Sequence, residues 1–224
     1  MEEKPSAPSE VKPDEKPPEK PKAKFYMNKD AINSLPLGWF EGRIYVIYTK
    51  EKAEAAAENL LRHDMLGFDT ETKPVFRKGQ KQNPIALIQL STETTAYLFR
   101  VNEMGMTPGL KKVLESPNII KIGQAMKHEL LTMKKELGVN GRGFVDLLDV
   151  AHNVDTDPKS VKGLAALFLG IKISKRMQVT NWERERLSEK QLRYAATDAW
   201  ACLEILKELR KRRLVHSVST KKHR

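Results

Sequence analysis

Three features of the sequence predict an α/β fold with one mixed central sheet flanked by helices. Segments of strand composition come first along the chain, and helical segments accumulate towards its end. Residues 85–91 and 95–101 both have strand composition and are separated only by Thr92, Glu93 and Thr94, which predicts a hairpin of antiparallel strands. Strands in a mixed parallel and antiparallel order, followed by helices, are typical of a layered α/β domain.

Each element follows from local composition or periodicity. β-Branched, aromatic and other apolar residues predict strands at residues 43–49, 65–71, 85–91, 95–101 and 119–123. Composition rich in Ala, Leu and Glu, or apolar residues at helical spacing, predicts helices at residues 51–63, 107–115, 127–137, 145–153, 160–169 and 189–213. Ser188 and Gln191 have the spacing of a capping box, which determines where the last helix begins.

The two ends of the chain differ in composition from the region between them. Residues 1–24 contain six of the twelve prolines, and most of their other residues are Lys, Glu, Ser and Ala. Such a segment cannot bury enough apolar surface to offset the entropy lost on ordering, so it should be disordered. It has neither the apolar stretch of a secretory signal nor the arginines of a transit peptide. The globular domain is therefore predicted at residues 25–215, with a basic tail at residues 216–224.

The composition also excludes several classes of protein. No apolar run approaches the roughly 18 residues of a membrane span. The single Cys202 excludes an intrachain disulfide and indicates a reducing compartment. A multi-Cys zinc site is excluded as well, and the five histidines show no ligand spacing. With no targeting signal visible, the expected location is the cytoplasm or nucleoid, or the nucleus in a eukaryote.

The net charge of +11 is unevenly distributed along the chain. Residues 210–224 contain seven Lys and Arg and no acid, whereas six Lys balance six acidic residues in residues 1–24. One interpretation of the basic end is a solubilising helix terminus that the helix dipole favours. The other is a nucleic-acid-binding tail in which Lys221, Lys222 and Arg224 contact phosphates. Composition gives these two interpretations equal weight.

Asp69 and Glu71 are the first candidate site residues. They lie two positions apart on a predicted strand, so their carboxylates point to the same face. Adjacent carboxylates repel each other unless a cation lies between them, and such hard oxygen ligands suit Mg²⁺ or Mn²⁺. Asp-x-Glu alone is common at solvated strand ends. Here the apolar residues 65–68 precede it, which places the acids at the mouth of a buried strand and favours a functional role.

Tyr194 and Asp198 form the second candidate pair. Their i, i+4 spacing puts them on one face of the last predicted helix. Taken alone, the pair is equally consistent with a tyrosine packed in the core and an exposed aspartate.

The order and context of these two motifs resemble the DEDDy 3′–5′ exonucleases. The segment Gly-Phe-Asp69-Thr-Glu71 is similar to the first motif of that family, and the segment around Tyr194 and Asp198 is similar to its last motif. Residues 172–183 resemble the Werner-type branch of the family. The stretch Asn-Pro-Ile-Ala-Leu-Ile-Gln-Leu, at residues 83–90, also fits the second strand of the family.

The resemblance covers roughly residues 43–210. It implies an RNase H-like fold and hydrolysis of nucleic acid from the 3′ end with two divalent metal ions, Mg²⁺ or Mn²⁺, releasing nucleoside 5′-monophosphates. In the roles that it implies, Asp69 bridges the two metals and Glu71 holds one of them while orienting the attacking water. Asp198 completes the tighter metal site. Tyr194 positions that water or helps to deprotonate it.

The sequence departs from the family pattern in the second motif. The family places an Asp after the strand at residues 119–123, near the start of the next helix. Counting from the apolar positions that follow assigns this slot to His128, and Glu129 lies one residue later, a rotation of about 100° on a helix. Imidazole suits softer metals than Mg²⁺, whereas Glu is longer than Asp. Both residues are therefore candidates for the fourth ligand, while Asp146 and Asp149 are interpreted as structural or solvated.

Three hypotheses for function follow. The chain is an active exonuclease, a weakened or inactive relative that binds nucleic acid or a protein partner, or a structural RNase H-like module. The presence of Asp69, Glu71, Tyr194 and Asp198 together favours the first. The Werner-like segments favour DNA as substrate and the RNase D branch favours RNA, so DNA is the predicted preference.

Overall fold

The structure, a computed structural model, describes residues 24–77, 79–152, 154–174 and 176–215. Within these ranges the strands are β1 (Phe25–Tyr26), β2 (Arg43–Ile47), β3 (Met65–Thr72), β4 (Ile85–Ser91), β5 (Thr95–Phe99), β6 (Ile120–Gly123), β7 (Phe144–Asp146) and β8 (Thr156–Asp157). The helices are α1 (Lys29–Ser34), α2 (Lys50–Leu60), α3 (Val101–Met104), α4 (Pro108–Glu115), α5 (Met126–Leu137), α6 (Leu147–His152), α7 (Val161–Leu169) and α8 (Glu189–Lys211). The predicted basic tail at residues 216–224, and all of the predicted N-terminal tail except Lys24, lie outside the described residues.

A six-stranded mixed sheet forms the centre of the domain, in the order β2-β5-β4-β3-β6-β7. Strands β3 and β4, and strands β4 and β5, pair antiparallel, whereas the remaining neighbours pair parallel. The predicted mixed sheet and the predicted hairpin of β4 and β5 are therefore confirmed. Strands β1 and β8 form a separate two-stranded parallel sheet.

Side chains alternate between the two faces of strand β3. Leu66 and Phe68 join a hydrophobic core with residues of helices α2, α4 and α5. Gly67 and Asp69 point to the opposite face, where helix α8 lies across the sheet. A second core, formed between that face and helices α6, α7 and α8, includes Ile122. No helix of the described ranges is both long and apolar enough to cross a membrane.

Helix α8 begins where its sequence predicted. Ser188 Oγ accepts from the backbone N–H of Gln191 at 3.3 Å, and Gln191 Oε1 accepts from the backbone N–H of Ser188 at 3.1 Å. This reciprocal capping box satisfies two backbone donors at the helix start. Fully buried Arg100 holds the preceding segment, since its guanidinium donates to the carbonyl oxygens of Arg184 at 2.6 Å and Glu185 at 3.3 Å.

The prediction of a helix at residues 145–153 was wrong at its beginning. Residues Phe144–Asp146 form strand β7, which pairs parallel with β6, and helix α6 covers only Leu147–His152. A strand of three residues is too short to show an alternating pattern, so the pairing with β6 determines its conformation. For the same reason the sequence did not reveal β1 and β8, which are two residues each.

Gly67 is the point of closest approach between strand β3 and helix α8. A Cβ atom at this position would lie 2.0 Å from the carbonyl oxygen of Ala199 and 2.7 Å from Ser91 Oγ. Because the obstacle is backbone, the helix would have to move to accommodate a side chain. Ala199 directly follows Asp198, so this packing also determines where Asp198 lies.

We predict that Gly67→Ala destabilises the protein by about 1–3 kcal/mol, the usual cost of overpacking, in urea denaturation followed by circular dichroism. Gly109→Ala is the comparison variant, because its Cβ would meet side-chain atoms, the carboxylate of Glu54 at 2.4 Å and the Cβ of Ala57 at 2.9 Å, and no backbone atom. Alanine also favours the helix, so this variant should lose less stability than Gly67→Ala. Equal stability of the two variants would contradict the proposed role of Gly67.

Candidate active site

Three carboxylates meet where helix α8 crosses strand β3. Asp69, Glu71 and Asp198 each offer one oxygen, and these three oxygens all lie within 4.8 Å of one another. Asp69 and Glu71 come from alternate positions of β3, and Asp198 comes from the face of α8 that packs on the strand. The structure thus brings together the two pairs of residues that the sequence identified separately.

Burial raises the pKa values of all three carboxylates, and repulsion by neighbouring carboxylates raises those of Asp69 and Glu71 further. Burial, followed by the negative charges of Asp69 and Asp198, raises the pKa of Glu71 to about 10. Burial raises the pKa of Asp198 to about 6, although a hydrogen bond from Tyr194 opposes this shift. The pKa of Asp69 is also raised, first by burial and then by Asp198. The group therefore favours protons or another cation between its oxygens.

Tyr194 lies one helical turn before Asp198 and is 8% exposed. Its hydroxyl hydrogen-bonds the carboxylate of Asp198, and its ring centroid lies 6.1 Å from that of fully buried Trp182. Burial, and then the charge of Asp198, raise the pKa of Tyr194 far above its ordinary value. The phenol consequently stays protonated throughout the physiological range.

Lys162 of helix α7 is a site neighbour that the sequence did not reveal. Its Nζ lies 5.9 Å from the ring centroid of Tyr194 and donates to the carbonyl oxygen of Ser174 at 3.2 Å. Its positive charge lowers the pKa values of both Glu71 and Asp198. No motif or spacing distinguished Lys162 from other lysines, because only the packing of α7 on α8 brings it here.

Of the two candidates in the second motif, Glu129 lies beside the carboxylate group. Its Oε2 accepts a hydrogen bond from Thr70 Oγ1 at 2.5 Å, and Thr70 separates Asp69 from Glu71 on β3. The charge of Glu129 also raises the pKa values of Asp69 and Glu71. His128 is exposed at the surface of helix α5. Counting apolar positions in the sequence selected His128, whereas the residue that lies near the carboxylates is its neighbour Glu129.

Asp146 orients the start of the helix that carries Glu129. Its two carboxylate oxygens accept from the backbone N–H groups of Met126 and Leu148, each at 2.9 Å. A carboxylate at a helix N-terminus is favoured by the helix dipole. Ala125, just before α5, has the left-handed backbone angles φ 56° and ψ 35°. Of the two interpretations that the sequence left open for Asp146, structural or solvated, these hydrogen bonds support the structural one.

The donor atoms of this site fit a hard divalent cation. Asp69, Glu71 and Asp198 present oxygen ligands alone, which Mg²⁺ and Mn²⁺ prefer. Gln89 is paired directly opposite Asp69 and is fully buried, and neither of its side-chain polar atoms has a hydrogen-bond partner among the described residues. Directly paired residues share one face of a sheet, so Gln89 adds a neutral oxygen and an N–H donor close to the carboxylates.

The predicted phosphate-binding residues Lys221, Lys222 and Arg224 lie outside the described residues. Their proposed contacts with nucleic acid stay a prediction.

Comparison with known proteins identifies one family over most of the chain. Residues 44–213 match the family model described as a 3′-5′ exonuclease. The bifunctional 3′-5′ exonuclease/ATP-dependent helicase WRN of Mus musculus is 33% identical over 187 residues, which cover 79% of this chain but only 13% of WRN. A 3′-5′ exonuclease of Arabidopsis thaliana is 26% identical over 204 residues, which cover 84% of this chain and 70% of that protein.

Solved structures have the same architecture. The EXO domain of Aedes aegypti Nibbler superposes with a TM-score of 0.69 at 26% identity, covering 79% of this chain and 91% of that domain. RNase D of Escherichia coli gives a TM-score of 0.67 at 23% identity, covering 75% of this chain and 44% of RNase D. The mixed sheet flanked by helices is therefore RNase H-like, as predicted. Together with the matched family model, these findings show that the chain belongs to the DEDDy 3′–5′ exonuclease family.

Proposed function

We propose that the protein is an active exonuclease that hydrolyses single-stranded nucleic acid from the 3′ end and releases nucleoside 5′-monophosphates. The observation that carries this proposal is the group of three carboxylate oxygens within 4.8 Å of one another beside Tyr194. A structural module would gain nothing from burying three mutually repelling carboxylates, because each raises the cost of ionising the others.

Asp69, Glu71 and Asp198 would hold divalent metal ions, Mg²⁺ or Mn²⁺. When bound, two such ions supply positive charge that stabilises the attacking and leaving oxygens of a phosphodiester. Glu71, next to Asp69 on the strand, accepts a hydrogen bond from the attacking water and orients it. Lys162 adds a fixed positive charge at the edge of the site and limits the repulsion among these acids.

We assign to Tyr194 the role of holding the attacking water rather than deprotonating it. In the metal-free site its raised pKa opposes loss of the phenolic proton, which favours holding the water over accepting its proton. While the hydroxyl donates to Asp198, its oxygen can still accept a hydrogen bond from water. This arrangement fixes the direction of attack.

Glu129, rather than His128, is the proposed fourth carboxylate. Its negative charge raises the pKa values of both Asp69 and Glu71, so it lies close to them, and its Oε2 accepts a hydrogen bond from Thr70 Oγ1. A glutamate has one more methylene than the aspartate usual in this family, which gives it the reach to approach the other carboxylates. An exposed imidazole at position 128 would supply no negative charge when neutral.

The proposed substrate is a strand with a free 3′ hydroxyl. The Werner-like segments of the sequence favour DNA over RNA, and this preference stays a prediction. The structural relatives include RNase D, described as an exoribonuclease involved in structured RNA processing. Matched DNA and RNA oligonucleotides should therefore be compared in every assay.

We predict that Asp198→Asn lowers the rate of 3′-end hydrolysis by at least about a thousandfold, because it removes a charged metal ligand. Gel analysis of a 5′-labelled oligonucleotide in Mg²⁺ or Mn²⁺ measures this, and excess EDTA should stop the wild-type reaction. Asp30→Asn, which changes an exposed acid on α1, is the control and should match wild type. Undiminished hydrolysis in EDTA would contradict the proposed mechanism.

We predict that Glu129→Gln raises the metal concentration needed for half-maximal rate and lowers the maximal rate by about tenfold or more, whereas His128→Ala stays close to wild type. Titrating Mg²⁺ and Mn²⁺ in the oligonucleotide assay separates the two residues. A larger loss of rate in His128→Ala than in Glu129→Gln would identify His128 as the fourth ligand. A wild type that binds strands but cleaves them only after His128→Asp would establish the alternative function, a binding relative of the exonucleases.

We predict that the metal-free protein loses thermal stability as the pH rises. The folded-state pKa values of Asp198 and Glu71, about 6 and about 10, lie above the ordinary values of 3.8 and 4.5. The folded state therefore binds these protons more tightly than the unfolded state does. The resulting stabilisation is lost as the pH rises through the folded-state pKa values. In EDTA, the Tm should fall between about pH 5 and pH 7, and Mg²⁺ should restore more stability at the higher pH. Above pH 7 the pKa of buried Lys121, lowered to about 7, opposes the effect of Glu71.

The control for this effect is Glu71→Gln, which has no proton to lose at that position. Its Tm should fall less steeply over the same range in EDTA. Parallel curves for the variant and the wild type would show that Glu71 has an ordinary pKa.

A further inference from the structure

We propose that the β3–β4 loop, residues 73–84, is a binding platform for the single-stranded part of the substrate, in which Phe76 stacks on a base and Arg77 contacts a phosphate. The proposal rests on the proposed nuclease function and adds a recognition surface outside the carboxylate site. The loop begins two residues after Glu71 and connects two strands of the sheet centre.

The composition of the β3–β4 loop differs from that of the site beside it. Four of its twelve residues are cationic and none is acidic: Lys73, Arg77, Lys78 and Lys81. The neighbouring carboxylates repel a phosphate backbone, so binding a strand there requires compensating positive charge close by. Lys73 is already paired with Glu183, so among the described residues Arg77 and Lys81 are the cations of the loop that would supply such charge.

Phe76 buries little of its side chain against the described part of the chain. It is 80% exposed, more than any other large apolar side chain in the described part of the chain. An exposed aromatic ring between cationic residues is the combination that single-stranded nucleic acid recognises. Bases stack on the ring while the charges follow the backbone.

An open cavity of about 330 Å³ lies along the loop. Phe76 and Arg77 line it together with the amide side chains of Gln80, Asn83 and Asn181. Amides can donate to and accept from base edges or sugar hydroxyls, so the lining combines stacking, charge and hydrogen bonding. A protein segment of acidic composition would use the cations, but it would give no role to the exposed ring.

The shape of the loop is held by its own contacts. Asn83 Nδ2 donates to the carbonyl oxygen of Lys73 at 2.8 Å, and the backbone N–H of Gln80 donates to the carbonyl oxygen of Arg77 at 3.1 Å. Lys73 Nζ also pairs with Glu183 Oε2 at 3.0 Å, which fastens the loop to the segment before helix α8.

Phe76 lies five residues after Glu71, so the two are at most about 18 Å apart. A strand of a few nucleotides could therefore contact both.

The test measures binding and chemistry separately. Binding of a labelled single strand of 12 nucleotides is measured by fluorescence anisotropy, and every protein carries Asp69→Asn to prevent hydrolysis. Adding Phe76→Ala should raise the Kd about tenfold or more above that of Asp69→Asn alone. Phe76→Trp should retain binding, because it keeps an aromatic face, whereas Phe76→Leu should not. Arg77→Ala should reduce the slope of log Kd against log salt by about 0.7, the value for one phosphate contact on a single strand.

Turnover of a minimal substrate separates this inference from the proposed function. The p-nitrophenyl ester of thymidine 5′-monophosphate has no strand to stack, so Phe76→Ala with intact carboxylates should hydrolyse it at the wild-type rate while its KM for the 12-nucleotide strand rises. Tyr26→Ala removes a 53% exposed aromatic side chain on the separate two-stranded sheet and should leave both measurements unchanged.

Each outcome of this experiment decides between the two proposals. If wild type neither binds nor cleaves single strands, the nuclease function itself is wrong. If wild type cleaves them and both Phe76→Ala and Arg77→Ala match it in Kd and KM, the platform is overturned while the nuclease function stands. An equal effect of Tyr26→Ala and Phe76→Ala would likewise overturn the platform.

Discussion

The close contact between helix α8 and strand β3 is the constraint on which the candidate site depends. A hydrogen atom is the only side chain that fits at Gly67, because the carbonyl oxygen of Ala199 would lie 2.0 Å from a Cβ there. Gly67 lies two residues before Asp69, and Ala199 lies one residue after Asp198. The contact therefore sets the spacing of the carboxylates from the two elements, and a looser helix would leave them too far apart to share a cation.

Holding these acids together has an energetic cost that the rest of the fold must offset. The hydrophobic clusters on the two faces of the sheet supply the apolar burial that keeps strand and helix in place. Lys162 and the hydrogen bond from Tyr194 reduce the repulsion within the group but do not abolish it, since the pKa of Glu71 still rises to about 10. The resulting site is pre-formed and strongly favours positive charge, as the proposed metal-dependent hydrolysis requires.

The sequence predicted those parts of the fold and site whose causes are local. Local composition was sufficient to predict strands β3 and β4 and helix α8, and the capping box at Ser188 predicted where α8 begins. Strand β7 was missed because its conformation comes from pairing with β6. The choice between His128 and Glu129 depends on the rotational phase of α5, which the left-handed Ala125 and the bonds to Asp146 determine. Those contacts join residues about twenty positions apart, so counting apolar residues along one helix could not reveal them.

The β3–β4 loop connects two antiparallel neighbours whose register is determined by their own pairing. Its length and composition can therefore vary without shifting Asp69 or Glu71, because the ladder between the strands holds them independently of the connection. Under the proposed function, the loop would recognise the substrate and the carboxylates would carry out the hydrolysis, so the two properties could change separately. Exchanging this loop of twelve residues between relatives would then change substrate choice and leave the carboxylate site unchanged, both in evolution and in protein engineering.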